Sequence, residues 1–161
     1  MVDIQTVSIA IASAGVFAAA VYYIFQIRHQ TRIRKTDLLT RLLSIYGSRE
    51  QTEALMRVLA LEFRDYNDFV KKYGPIPSLS PDTVAFRMIS MFAEELGMLL
   101  RRGLIDPDMA YSVFSVGILW EKLRPIVEGV RKHFNEPRLF EDFEYLYNEM
   151  KKREQQGVSH G

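Results

Sequence analysis

The 161-residue chain carries 21 bases, 20 acids and a net charge of +1, and it has no cysteine. The missing thiols exclude disulfides, thiolate metal sites and a cysteine nucleophile, and they fit a reducing compartment. Arg28, Arg32, Arg34 and Lys35 cluster without an acid, so the other 17 bases and the 19 acids beyond Asp3 leave residues 36–161 at about −2, with no electrostatic footprint for nucleic acid.

Residues 1–6, MVDIQT, form a short leader holding Asp3 and no base. From Val7 to Ile27 no residue is charged. As a helix this run covers about 31 Å, the hydrocarbon thickness of a bilayer. Tyr22 and Tyr23 fall near its basic end, where a ring rests in hydrocarbon and its hydroxyl reaches the headgroups. A secretory signal wants bases before the apolar run, and Val21 to Phe25 continue the run past the small residues Ala18–Ala20. A surface helix needs a polar face, and this run has none. Residues 7–27 therefore read as a transmembrane helix.

The basic juxtamembrane segment, residues 28–35, sets the orientation. Bases follow the span and none precede it, so the N-terminus is expected outside and the rest of the chain in the cytoplasm, on a single-pass protein of the cell membrane. The same bases offer contacts to anionic lipid headgroups. Within the span, Ala10, Ala14 and Ala18 repeat every four residues, as do Ile11, Gly15 and Ala19. Small residues at this spacing let two helices approach closely, so self-association through Ala10, Ala14, Gly15, Ala18 and Ala19 stands beside the plain anchor.

Residues 36–155 read as one helical domain. Leu38, Leu39, Leu42, Leu43 and Tyr46 share a face before Gly47. Ser48 and Gln51 make a capping box for a helix running into EALMRVLALEF, and Asp65 and Asp68 start a short helix ended by Gly74. PIPSLSPD, residues 75–82, is the clearest loop. Ser80 and Pro81 open a long helix closed by Gly103, and Asp106–Pro107 opens a second toward Phe134. These two are expected to form an antiparallel hairpin about RRGLIDPD. Pro125 should kink the second, since it removes a donor and clashes with the carbonyl of Glu121. Asn135 and Pro137 open the last helix, and residues 156–161 read as a disordered tail. The expected fold is all-α: one N-terminal transmembrane helix followed by a compact bundle of about five helices.

Catalytic patterns are scarce. The three histidines, 29, 133 and 160, lie far apart, and HExxH, GxxxxGK, GxGxxG and GxSxG are absent from the sequence. Glu94 and Glu95 stand inside the apolar run MISMFAEELGMLL, so at least one approaches the core boundary, paired with Arg87 or Arg101 or poised as a general acid. Asp106 and Asp108 read as a helix cap and a first-turn acid. Phe140, Phe143, Tyr147 and Met150 form an apolar stripe that either fills the core or presents an interaction surface. No catalytic residue, metal or cofactor is predicted.

TRLLSIYGSRE (40–50), FAEELGMLLRRGLID (92–106), LWEKLRPIVEG (119–129) and FNEPRLFEDFEYLYNEM (134–150) together resemble an uncharacterised family of small prokaryotic proteins with one N-terminal span and a helical cytoplasmic domain. The resemblance implies an anchored all-helical fold and carries over no catalytic residue. The leading expectation is a non-enzymatic interaction or scaffolding module at the inner membrane face, with the lipid bilayer and a protein partner, or a second copy of itself, as its contacts. The alternatives are an oligomeric membrane effector or sensor signalling through its span, and a membrane-associated enzyme using helix-borne carboxylates such as Glu94, Glu95 or Asp106.

Overall fold

The structure is a computed structural model. It describes residues 3–113 and 116–158, without the side chains of Thr6, Ala10, Ser112, Val113, Gln156, Gly157 and Val158. Every regular element among the described residues is a helix: α1 (Ile4–Tyr46), α2 (Arg49–Ala60), α3 (Tyr66–Tyr73), α4 (Pro81–Arg101), α5 (Pro107–Val113), α6 (Val116–Phe134) and α7 (Glu141–Val158). Two units result, residues 1–40 and residues 41–161.

In the first unit α1 is apolar on all sides through residues 7–27 and leaves Phe17, Tyr22 and Phe25 exposed. It stays helical through the basic segment. There and in the turns that follow, Thr31, Thr36 and Thr40 each donate a hydroxyl to the carbonyl four residues earlier, satisfying their polar groups along the helix.

The second unit follows the local start signals closely. Ser48 accepts from the Gln51 amide, Asp65 from Asp68 and Ser80 from Thr83, each an oxygen satisfying an orphan first-turn donor. Pro81 occupies the first turn of α4, where no donor is lost. Gly103, at φ 65°, supplies the left-handed turn that ends it.

Helix packing departs from the expected hairpin. α4 packs chiefly on α7 and α2, whereas α6 packs on α7 and α3. The core is built by Phe69, Phe86, Ile89, Leu96, Leu119, Leu123, Ile126, Phe143 and Leu146. Two glycines make the crossings. A methyl at Gly97 would lie 2.0 Å from the Asp142 carbonyl oxygen, and one at Gly129 would lie 2.2 Å from the Tyr66 side chain. Glycine thus lets α7 and α3 approach α4 and α6 at backbone distance.

Two element boundaries are corrected, those of α2 and α7. α2 stops at Ala60, and residues 61–63 leave the helix; its buried stripe is Gln51, Ala54 and Val58, with Leu59 outside. The helix expected from Asp106 to Phe134 is described as α5 and α6, with residues 114 and 115 outside the described residues. α7 begins at Glu141, several residues after Asn135 and Pro137, and it runs to Val158. Residues 159–161 of the expected tail lie outside the described residues. α6 continues as a helix on both sides of Pro125.

Candidate functional site

An open pocket of about 870 Å³ lies in the second unit, built by one stripe of α4, the loop before it, the end of α6 and the turn into α7. Arg87, Met91 and Glu94 stand at i, i+4 and i+7 on α4, which places all three on one face toward the pocket. Ile76, Pro77 and Ser78 form one wall, Val130 and Phe134 another, and Leu139 and Phe140 a third. Phe86 and Val130, both buried, floor it, and the rings of Phe86 and Phe140 meet edge to face at 5.9 Å.

Side-chain bonds hold both loops. The Ser80 hydroxyl donates to the Tyr73 carbonyl at 2.7 Å, and the buried Thr83 hydroxyl shares a 2.8 Å bond with that of Ser78. On the other side, Arg131 Nε donates to the Leu139 carbonyl at 2.8 Å while its guanidinium pairs with Glu144 at 2.8 Å. Arg138 grips Glu141 through two hydrogen bonds of 2.6 and 3.1 Å, and its amide donates to Glu136.

Glu94 has a structural task. Phe140, at φ 58°, has no side-chain oxygen with which to cap α7, and the Glu94 carboxylate accepts from the Phe143 amide at 2.8 Å instead. A carboxylate from α4 thereby caps α7 from outside, at the end where the helix dipole favours an anion. Burial pushes the Glu94 carboxyl above its ordinary range, partly offset by the Phe143 and Asp142 amides. Arg101 reinforces the same junction. It pairs with Asp142 at 2.7 Å, donates to the Glu141 carbonyl at 3.1 Å and stacks over Tyr145. The expected pairing of Glu94 with Arg87 or Arg101 is thus replaced by a backbone bond, and Glu95 is exposed. Among the described residues Arg87 is exposed and meets no acid.

The remaining residues singled out from the sequence divide cleanly. Of the aromatic stripe, Phe140 alone lines the pocket. Phe143 is fully buried against Trp120, with ring centroids 4.9 Å apart, so that position belongs to the core. Tyr147 stacks on Trp120 and donates its hydroxyl to Glu121, and Met150 packs over Gly117. Asp106 caps the Met109 amide at 2.9 Å, and Asp108 pairs with Arg153 at 2.5 Å. Arg28, Arg32, Arg34 and Lys35 are exposed on α1, as are Ala14, Gly15, Ala18 and Ala19; the Ala10 side chain lies outside the described residues. Sequence reasoning missed the pocket itself. Its walls come from four separate segments, of which the sequence had singled out the proline-rich loop, Glu94 and Phe140 without bringing them together.

No curated protein and no solved structure is significantly similar to this chain. A family model does match, over residues 9–150, spanning most of the apolar helix and nearly all of the helical unit. The chain belongs to that family, described as Domain of unknown function (DUF4760).

Proposed function

We propose that this chain is a non-enzymatic, single-pass membrane module whose helical unit engages a protein partner, or a second copy of itself, at the cytoplasmic face of the cell membrane. The observation that carries the reading is the apolar part of α1. It is long enough to cross a bilayer, its window of mean hydropathy 2.0 has no buried residue, and its large side chains need an apolar solvent. The exposed bases that follow it support a cytoplasmic placement of residues 41–161. Tethering would hold the helical unit in a thin layer beside other membrane proteins, raising its effective concentration toward them. Exposed Leu79, Leu104 and Ile118 supply apolar contacts of the kind such partners use.

The test is sedimentation of lysate with an alkaline carbonate wash, followed by protease treatment of intact cells and mass measurement of the chain. Pelleting after the wash, a protected C-terminal half and an uncleaved N-terminus are expected. Release by carbonate, or a mature chain starting after Ala20, refutes the anchor.

A further inference from the structure

We infer that the pocket between α4, α6 and the turn before α7 binds a single-chain amphiphilic carboxylate, a long-chain fatty acid, with its chain in the apolar cleft and its head on Arg87. The inference concerns residues 76–141 and does not require the span.

Size and lining come first. A volume of about 870 Å³ lies within the range of small-molecule sites. The floor is core, with Phe86 and Val130 almost wholly buried, while Met91 and Phe134 at the lip stay 44% and 46% exposed. Apolar surface held open by a buried floor and bonded loops is preformed for an apolar guest.

Charge then selects the head group. Arg138 is occupied by Glu141 through two hydrogen bonds, and its own amide engages Glu136. The Glu94 carboxylate is spent on the α7 amide. Arg87 remains: it lines the pocket, is exposed, and pairs with no acid among the described residues. A guanidinium presents a planar fork that matches a carboxylate. A phosphate of higher charge wants a second base, and the pocket's other arginine is already paired.

Geometry gives the chain its course. Arg87 and Glu94 are two turns apart on α4, about 10 Å along the axis, with Met91 between them. A head group on Arg87 thus stays clear of the acid while the chain runs past Met91 toward Phe140. A protein occupant fits less well, since an interface of about 1,200 Å² or more would have to cover the charged residues Glu136 and Arg138 beside the pocket.

The full chain in phosphatidylcholine nanodiscs, exposed to a palmitic acid bearing a photoreactive diazirine, tests this directly. Labelled peptides would be mapped by mass spectrometry. Label on residues 7–27 reports partition beside a span, and label on 76–94 and 130–141 reports the pocket, so failure of the anchor and failure of the site are separate outcomes. Pocket label should be competed by oleate and fall about tenfold in Arg87→Ala, with partial rescue by Arg87→Lys and span label unchanged. The corresponding long-chain alcohol should label the pocket about tenfold less, a comparison that needs no variant. Unlabelled pocket peptides, label indifferent to oleate, or equal label from the alcohol would overturn the proposal. Crosslinks between two copies that map to residues 76–94 would overturn it in favour of a protein occupant.

Discussion

The apolar stretch of α1 and the helix α4 are both rich in large aliphatic and aromatic residues, yet α1 leaves Phe17 72% exposed while α4 buries Phe86 and Phe92. The difference lies in the arrangement of the remaining residues. Between residues 7 and 27 no charged residue marks an outer face. α4 carries Asp82, Arg87, Glu95 and Arg101 between its apolar positions, which leaves a stripe to bury and a surface to hydrate. Apolar content alone therefore does not make a core helix; a core helix also needs a side that water accepts.

The largest test of that contrast compares two phenylalanines. Phe143→Ala, which empties a fully buried site against Trp120, should cost about 3–5 kcal/mol of stability, read by denaturant unfolding of the full chain in mild detergent. Phe17→Ala should leave that transition in place, because no protein packing is lost. Equal losses would mean that the α1 side chain is covered by protein after all.

Two glycines give a second, sharper pair. Gly97→Ala forces a methyl onto the Asp142 carbonyl and should destabilise by about 3 kcal/mol, since backbone cannot step aside as a flexible side chain can. Gly15→Ala has nothing within 4 Å and should have no measurable effect. Arg101→Ala is next: it removes the Asp142 pair and the stacking over Tyr145 at a partly exposed site, for about 1 kcal/mol.

The smallest effect is a pH dependence. Burial raises the Glu94 carboxyl above its ordinary 4.5, so the folded chain holds this proton more tightly than the unfolded one does. The stability it contributes is present below about 4.5 and is lost as the pH rises through the raised value. Glu94→Gln keeps an oxygen for the Phe143 amide and has no proton to lose. Its melting temperature should gain on the native chain between pH 4.5 and neutrality, then level off. Asp68 is lowered by the Arg64 backbone amide and then by Lys72, and Glu141 by Arg138; both slope the other way, but they are shared by both proteins and cancel in the difference. A flat difference would show that Glu94 keeps its ordinary affinity for the proton.

Much of this was readable along the chain. Ser48, Asp65 and Ser80 each cap the helix that follows, and Gly74 and Gly103 end helices, because these choices are made within about four residues of backbone. The start of α7 was not readable. Asn135 and Pro137 look like a start signal, but the cap arrives from Glu94 on another helix, and Phe140 turns left-handed to let it in. Gly129 is the place where Tyr66 fits against α6, a role set by a residue 63 positions away. Of the pocket, the sequence flagged Glu94 and Phe140 but could not place Arg87, Val130 and Leu139 around one space.

By itself the sequence determined that the regular elements of the described residues are helices, where most of them begin, and that residues 7–27 are apolar over a length that could cross a bilayer, since periodicity, capping and apolar length are properties of near neighbours. Tertiary structure alone decided that α4 lies against α7 and α2, that Gly97 and Gly129 are crossing points, and that Arg87, without an acid partner among the described residues, edges an apolar pocket. Those outcomes depend on atoms tens of residues apart coming within a few ångströms of one another, and no local pattern encodes that distance.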